Sequence, residues 1–380
     1  MGEKRKLEQQ IAVFGESGSG KTVLLSSFYG ATQEPQYRHR DLFYVVADDI
    51  GQGSRLHGNY LGMRNAAKLP MANHFSSEKY SLSIKLKDDA AAKRRPFDAV
   101  RLTWHDYPGE WFEQGVSGPV EAQRRVDGFR SLLGSDVALL LVDGQKLREN
   151  AGEEERYLKS LFGNFRNGLL SLKDDLLDDG KPLLQFPRIW VLSLSKADLL
   201  PDADVYWFRD LLVEKARGEI DALRGVIGEF IEGKEALSIG EDFVLLSAAK
   251  FEPGRIEVAE RIGVELILPL SAILPFERHV RWAERKLLPG KLAEGLMRGA
   301  GMLAAALTGK RRRIYGRLAP ILSFVEPLVI QEAARLAGDK LRELNKTASE
   351  KRDKLSATLT QFTLDLERGE QERTLIRSKR

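Results

Sequence analysis

The sequence predicts an α/β fold: a mixed β-sheet flanked by helices, followed by an α-helical C-terminal extension. Three observations predict it. Short apolar runs of strand character alternate with amphipathic stretches up to about residue 255. A phosphate-binding loop joins the first of those strands to the first helix. From about Val264 onward the pattern changes to nearly continuous helix. These divide the chain into an α/β domain at 1–262 and a helical region at 263–380.

The first strand is the apolar run Ile11-Ala12-Val13-Phe14, and the first helix starts at Val23-Leu24-Leu25. Between them, Gly15-Glu16-Ser17-Gly18-Ser19-Gly20-Lys21-Thr22 satisfies G-x-x-x-x-G-K-[ST] at every fixed position. The glycines let successive N–H groups turn inward toward phosphate oxygens, and the helix N-terminus adds partial positive charge. Lys21 is the residue that reaches the β and γ phosphates, and the Thr22 hydroxyl is a Mg²⁺ ligand. With Val23, these residues form the expected phosphate-side binding set.

Asp41 to Val46 reads as a strand, followed by a polar segment containing Gly51, Gly53, Gly58 and Gly62. Tyr80 to Leu86 alternates with period two, and Phe97 to Trp104 offers a neighbouring strand after the break at Lys93-Arg94-Arg95-Pro96. That strand runs into Asp106-Tyr107-Pro108-Gly109-Glu110-Trp111, a D-x-x-G turn. Such a turn sets a carboxylate, Asp106, beside Mg²⁺ and a glycine N–H, Gly109, near the γ-phosphate, so that it can sense the third phosphate. Asp-x-Pro-Gly is also an ordinary turn.

Ser135 to Gly144 and Arg188 to Leu194 read as fully buried parallel strands, with apolar centres at Val137 to Val142 and Ile189 to Leu192, as strands covered on both faces require. Helical patterns follow each, at Glu153 to Leu177 and at Val205 to Ile231. The second strand ends in Ser195-Lys196-Ala197-Asp198, a variant of [NT]-K-x-D. A carboxylate at Asp198 can accept from both N1–H and the N2 amine of guanine, whereas adenine has no matching donor pair. Lys196 supplies an aliphatic stem to cover the base, and Ser195 replaces an Asn whose amide would brace the loop. The other reading of this tetrapeptide is a helix N-cap. Phe243 to Leu246 then leads into Ser247 and Ala248, a strand end whose position fits contact with the base carbonyl.

Read together, these motifs resemble the Ras-like (TRAFAC-type) P-loop GTPases. The Asp106 to Trp111 sequence is most similar to the YcjX-like and related double-GTPase group of bacterial P-loop GTPases, where Asp-Tyr-Pro-Gly-Glu-Trp replaces the commoner Asp-Thr-Ala-Gly-Gln. The resemblance implies a Ras-like P-loop NTPase sheet of about six strands, binding GTP or GDP with Mg²⁺ at the strands' C-terminal edge. It assigns Gly15 to Thr22 to phosphates and metal, Asp106 to Mg²⁺, Gly109 to the γ-phosphate, and Ser195, Lys196, Asp198, Ser247 and Ala248 to guanine. Glu110 stands where many relatives carry a water-orienting Gln. Its charge near the γ-phosphate implies slow intrinsic turnover. For the switch I hydroxyl, Ser76 or Ser77 is better placed than Thr32.

Composition narrows the remaining roles. The chain has no cysteine, so disulfides and thiol chemistry are excluded, and its five histidines show no ligand-pair spacing. No run of ~18 apolar residues is present, and no apolar region of secretory-signal type follows the charged N-terminus, so the expected location is cytoplasmic, or peripheral at the inner face of a membrane. Residues 281–380 carry 22 Lys and Arg against 12 Asp and Glu, a surplus of 10 within a chain whose net charge is +4. Lys310, Arg311, Arg312 and Arg313 lie between apolar stretches and suit a partner surface, self-association or anionic lipid; no nucleic acid is expected, because aromatics are not interleaved with them. Leu355, Leu359, Phe362 and Leu366 form an amphipathic stripe, and the charged tail after Gly369 is expected to fray.

The reading that absorbs most of these features is a GTP-binding molecular switch with slow, partner-stimulated hydrolysis, acting through its helical C-terminus. The alternatives are an ATPase using Ser195 to Asp198 as a turn, a dynamin-like GTPase at membranes, and a non-catalytic module supported by bound nucleotide.

Overall fold

The computed structural model describes residues 8–40, 42–70, 78–87, 98–106, 109, 118–177, 180–183, 188–284 and 351–379. Ser76, Ser77, Glu110 and the Lys310, Arg311, Arg312, Arg313 cluster lie outside the described residues. In chain order the first half contains β1 (Glu8–Phe14), α1 (Lys21–Gln33), α2 (Pro35–Arg40), β2 (Phe43–Ala47), α3 (Ile50–Ala66), β3 (Glu78–Leu86) and β4 (Asp98–Asp106). There follow α4 (Pro119–Leu133), β5 (Val137–Asp143), α5 (Gly144–Glu149), α6 (Glu154–Ser171), α7 (Lys173–Leu176), β6 (Ile189–Ser195) and α8 (Val205–Phe230). The last part holds β7 (Ser238–Leu245), a hairpin of β8 (Lys250–Glu252) and β9 (Arg255–Glu257), α9 (Ile267–Glu284), α10 (Lys351–Gln371) and β10 (Leu375–Ile376).

Eight strands form one mixed sheet in the order β10-β7-β6-β5-β1-β4-β3-β2. The ladders β4-β1-β5-β6-β7 are parallel, while β2-β3, β3-β4 and β7-β10 are antiparallel. Side chains of β5 show why a continuous apolar run was needed. Leu139 and Leu141 enter the core shared with α1, α3, α9 and α10, whereas Ala138, Leu140 and Val142 enter the core shared with α4, α6 and α8. Both faces are dry, so alternation would have put a polar side chain into apolar surroundings. In the second core, Phe14 stacks on Trp190 with ring centroids 5.1 Å apart, and Phe165 meets both edge-on.

Four local features differ from the sequence expectation. The sheet has eight strands where the family resemblance implied about six; the edge strand β2 was read in the sequence at Asp41 to Val46, and β10 on the other edge was not. The glycine-bearing segment after β2 is the helix α3: Asp49 caps it by accepting from Gln52 N, and Leu56, Tyr60 and Met63 bury a stripe at i, i+4 and i+7. Helix α9 continues through Pro275, a proline at which the sequence suggests a break. The tail after Gly369 is not frayed, since Leu375 and Ile376 pair with Val244 and Phe243 of β7.

An ion pair holds α9 to β7 from within. Arg278 and Asp242 are fully buried, with Nη2 donating to Oδ1 at 2.7 Å. Ser238 Oγ donates to Asp242 Oδ2 and accepts from Arg278 Nη1, and the Ser378 amide donates to Asp242 Oδ1 at 2.9 Å. Burial pushes the Asp242 carboxyl up, and the Arg278 charge opposes that shift. Removing one partner would strand a buried charge, at a cost of about 3–5 kcal/mol.

Candidate nucleotide site

The phosphate loop sits where β1 ends, on the C-terminal edge of the parallel ladders. Gly18 and Gly20 adopt φ of +76° and +89°, the left-handed region that a side chain would resist. These two reversals turn the chain around the ammonium of Lys21, which donates to the carbonyls of Gly15 at 2.8 Å and Glu16 at 3.0 Å. The Thr22 hydroxyl, one residue on, donates to Asp106 Oδ2 at 2.8 Å. Thr22 and Asp106 offer one hydroxyl and one carboxylate oxygen, hard donors of the kind Mg²⁺ takes, so the residue types fit that ion. Among the described residues, no three His, Asp or Glu side chains converge on another metal site.

Gly109 lies against the same loop. A Cβ built on it would come within 2.1 Å of Ser17 N and 2.3 Å of the Glu16 carbonyl carbon, so any side chain there would drive the turn off the phosphate loop. The sequence alone suggested a glycine beside the γ-phosphate; the structure brings that glycine to the backbone of the phosphate loop itself.

A second group of side chains lines the edge where Asp106 emerges. Glu78 is the β3 register partner of Asp106, and Arg55 from α3 grips it with both terminal nitrogens, at 3.1 and 2.5 Å. Arg55 also donates to the Tyr80 hydroxyl at 2.9 Å, and Tyr80 donates to Glu78. Burial and the Glu78 carboxylate together push the Tyr80 hydroxyl up. Two carboxylates opposite each other on neighbouring strands would repel, and Arg55 offsets that repulsion. His105, on the other face, is buried against Gln10 Oε1 at 3.1 Å, and burial with the nearby Lys79 charge lowers its ring to about 4, so it stays neutral.

The residues expected on the base side meet across 49 positions of sequence. Ser247 Oγ donates to Asp198 Oδ1 at 2.5 Å and has the Ala249 carbonyl at 2.7 Å, while the Phe251 amide donates to Asp198 Oδ2 at 3.2 Å. Ser247's own amide pairs with the Ile262 carbonyl, and the Ala248 carbonyl accepts from Ser27 of α1 at 2.6 Å. Lys196 has φ of +53°, and its ammonium donates to Asp143 Oδ2 at 2.8 Å and Gln145 Oε1 at 3.0 Å. Ser195, buried, donates to the Val142 carbonyl at 3.3 Å.

Sequence reasoning missed the links between these two halves. Asp143 ends β5, caps α5 through the Gln145 amide, and receives Lys196. On α5, Lys146 reaches back to Glu16 of the phosphate loop at 2.9 Å, and the Tyr157 hydroxyl accepts from the Asp143 amide at 3.0 Å. Asp-Gly at a strand end was a visible signal for Asp143. Nothing marked Lys146, because a lysine on a short polar helix is usually a solvated one.

The model of the family described as Double-GTPase 2 matches residues 9–220. No curated protein matches the chain by sequence. Among solved structures, a Plasmodium falciparum chain described as a nucleolar GTP-binding protein 1 is 11% identical, with a TM-score of 0.33, covering 75% of this chain and 95% of that one. The S. cerevisiae Ski7 GTPase-like domain bound to GTP is 13% identical with a TM-score of 0.29, over 64% of this chain and 43% of that one. The same domain bound to GDP and inorganic phosphate is 12% identical with a TM-score of 0.28, over 66% of this chain and 46% of that one. The chain therefore spans less than half the length of the two Ski7 chains.

Proposed function

The chain belongs to the Double-GTPase 2 family and is a GTP-binding protein; on that premise we propose that it hydrolyses GTP slowly, with stimulation by a partner, and acts as a switch through its helical C-terminal region. The observation that carries the base assignment is the Asp198 carboxylate, anchored by Ser247 Oγ and the Phe251 amide. A carboxylate has about four lone-pair directions. Two anchoring bonds fix its orientation and leave acceptor capacity for the adjacent N1–H and N2–H of guanine.

In this reading the loop from Gly15 to Val23 holds the phosphates, with Lys21 offsetting charge on the β and γ groups. Thr22 and Asp106 hold Mg²⁺, which would draw charge from the phosphate oxygens. Gly109 aligns the turn that bears Glu110, whose carboxylate orients the attacking water, and Ser247 and Ala248 complete the base pocket around Ser195, Lys196 and Asp198. The negative charge of Glu110 is the reason for slow turnover, and a partner's arginine is the expected accelerator. Partner contact, self-association or peripheral contact with anionic membrane is assigned to residues 263–380, with Lys310, Arg311, Arg312 and Arg313 as the basic surface. No described helix is long and apolar enough to cross a membrane.

Calorimetry with GDP and ADP in the presence of Mg²⁺ tests the base assignment. The expected result is a preference for GDP of about 10⁴-fold, the discrimination available when a wrong ligand leaves a buried acceptor unpaired. Tight ADP binding without GDP binding would overturn it. Phosphate release from GTP, followed with and without the C-terminal partner, separates a slow hydrolase from a module that only holds nucleotide.

A further inference from the structure

Two segments carry the residues expected on the base side: 195–205, leading from β6 into the start of α8, and 245–251, leaving β7. Both donate a backbone amide to one dipeptide near the C-terminus. Val205 N–H reaches the Arg373 carbonyl at 2.9 Å, and Leu245 N–H reaches the Thr374 carbonyl at 2.9 Å. Arg373 adds an ion pair to Asp204, the α8 cap, at 2.7 Å, and lies over the Tyr206 ring. Its φ is +58°, a left-handed backbone that a non-glycine residue keeps only where its surroundings hold it.

The dipeptide is itself held from both sides. Upstream, the Thr374 amide donates to the Gly369 carbonyl at the end of α10. Downstream, Leu375 is fully buried, Arg377 bonds Glu370 of α10 and Glu277 of α9, and Ser378 is tied to Asp242. We propose that β10, with Arg373 and Thr374, is a positioning element for the guanine pocket: it sets the spacing of the two base loops and thereby the rate at which nucleotide leaves. The inference rests on the GTP-binding reading of Asp198 and Ser247. Those two side chains meet only when their loops are in register, and one dipeptide holds the backbone seven residues after Asp198 and two residues before Ser247. Linkage makes the effect reciprocal, so bound nucleotide tightens β10 by the factor that β10 tightens nucleotide. Residues 285–350 connect α9 to α10, so that segment is covalently continuous at both ends with the elements that hold the strand.

Hydrogen–deuterium exchange of the full chain with GDP, ADP or no nucleotide is the first test. GDP, and not ADP, is expected to slow exchange at 372–379 about tenfold, in the usual range of coupling between sites. Slowing at Gly15 to Thr22 and 195–198 without slowing at 372–379 would overturn the inference and leave the GTP reading intact. No slowing anywhere would overturn both. The second test is release of a fluorescent GDP. Leu375→Ala, which loosens the strand without touching the pocket, is expected to speed release about tenfold. Leu169→Ala, a similar buried loss on α6, is expected to stay within about twofold, and equal acceleration would overturn the inference. Arg373→Gly keeps the carbonyl and should stay within about threefold; acceleration matching Leu375→Ala would refute the backbone route.

Discussion

Replacing Asp198 with asparagine changes one acceptor oxygen into a donor, and the neighbours decide which one. The Phe251 amide donates to one oxygen of the carboxylate, so the side-chain oxygen of the variant must stay on that side. The amide nitrogen then faces Ser247, whose hydroxyl can accept from it while donating to the Ala249 carbonyl at 2.7 Å. Every polar atom keeps a partner, and the variant is expected to fold. Toward guanine, however, the N2 amine now meets a donor. Two charge-assisted bonds are lost, each worth about 1.5–3 kcal/mol, for a total of about 3–6 kcal/mol. GDP affinity should fall by about 10²–10⁴-fold. Xanthosine diphosphate carries an oxygen where guanine has the amine, and its affinity should rise by a comparable factor. Calorimetry of both proteins with both nucleotides gives the four numbers needed. Unchanged GDP binding by Asp198→Asn, or a loss of GDP with no gain of xanthosine diphosphate in a folded protein, would refute the assignment.

Three further outcomes are expected. Thr22→Ala should weaken GDP about 10- to 100-fold in Mg²⁺ and leave affinity in EDTA unchanged, because it removes a proposed metal ligand and the bond to Asp106; stopped-flow nucleotide release with and without chelator reads this. Gly109→Ala must move the turn by about an ångström to relieve its contact with Ser17, so single-turnover hydrolysis should drop about 10²-fold with GDP affinity within about threefold. The His279 ring is lowered to about 4 by burial and by the charges of Arg188 on β6's leading edge and Arg278 on its own helix. The unfolded chain binds that proton first as pH falls, so the stability His279 contributes is complete above about 6.5 and is lost toward 4, an effect near 3 kcal/mol. Urea unfolding at pH 7 and 4.5 should show a flatter profile for His279→Gln, and parallel profiles would refute this. Asp136, raised to about 6 by burial, titrates with the opposite sign in both proteins and cancels in the comparison.

What the sequence revealed was whatever neighbouring residues determine among themselves. The run from Ile11 to Thr22 announces strand, loop and helix, because apolar periodicity and fixed glycines are local signals. The doubly buried strands β5 and β6 were equally plain. Helix α3 was not, since its glycines lower helix propensity and its stability comes from Leu56, Tyr60 and Met63 packing in the core. Strand β10 is two residues in a charged tail, and only its ladder to β7 makes it a strand. The same limit applies to the site. Each motif could be read alone, while the bonds joining Asp143 to Lys196 and Glu16 to Lys146 span 53 and 130 positions and leave no periodic trace.

The ladder between β7 and β10 also has a consequence in time. Roughly 130 residues separate the paired positions, and a ribosome adding about 5–20 residues per second takes on the order of 7–26 s to make them. Throughout that interval the outer edge of β7 presents unpaired amides and carbonyls, and Asp242 lacks its bond from Ser378. In order of synthesis, β10 is therefore the last of the sheet's described strands, and until it is made the edge of β7 that it pairs stays open to other strands.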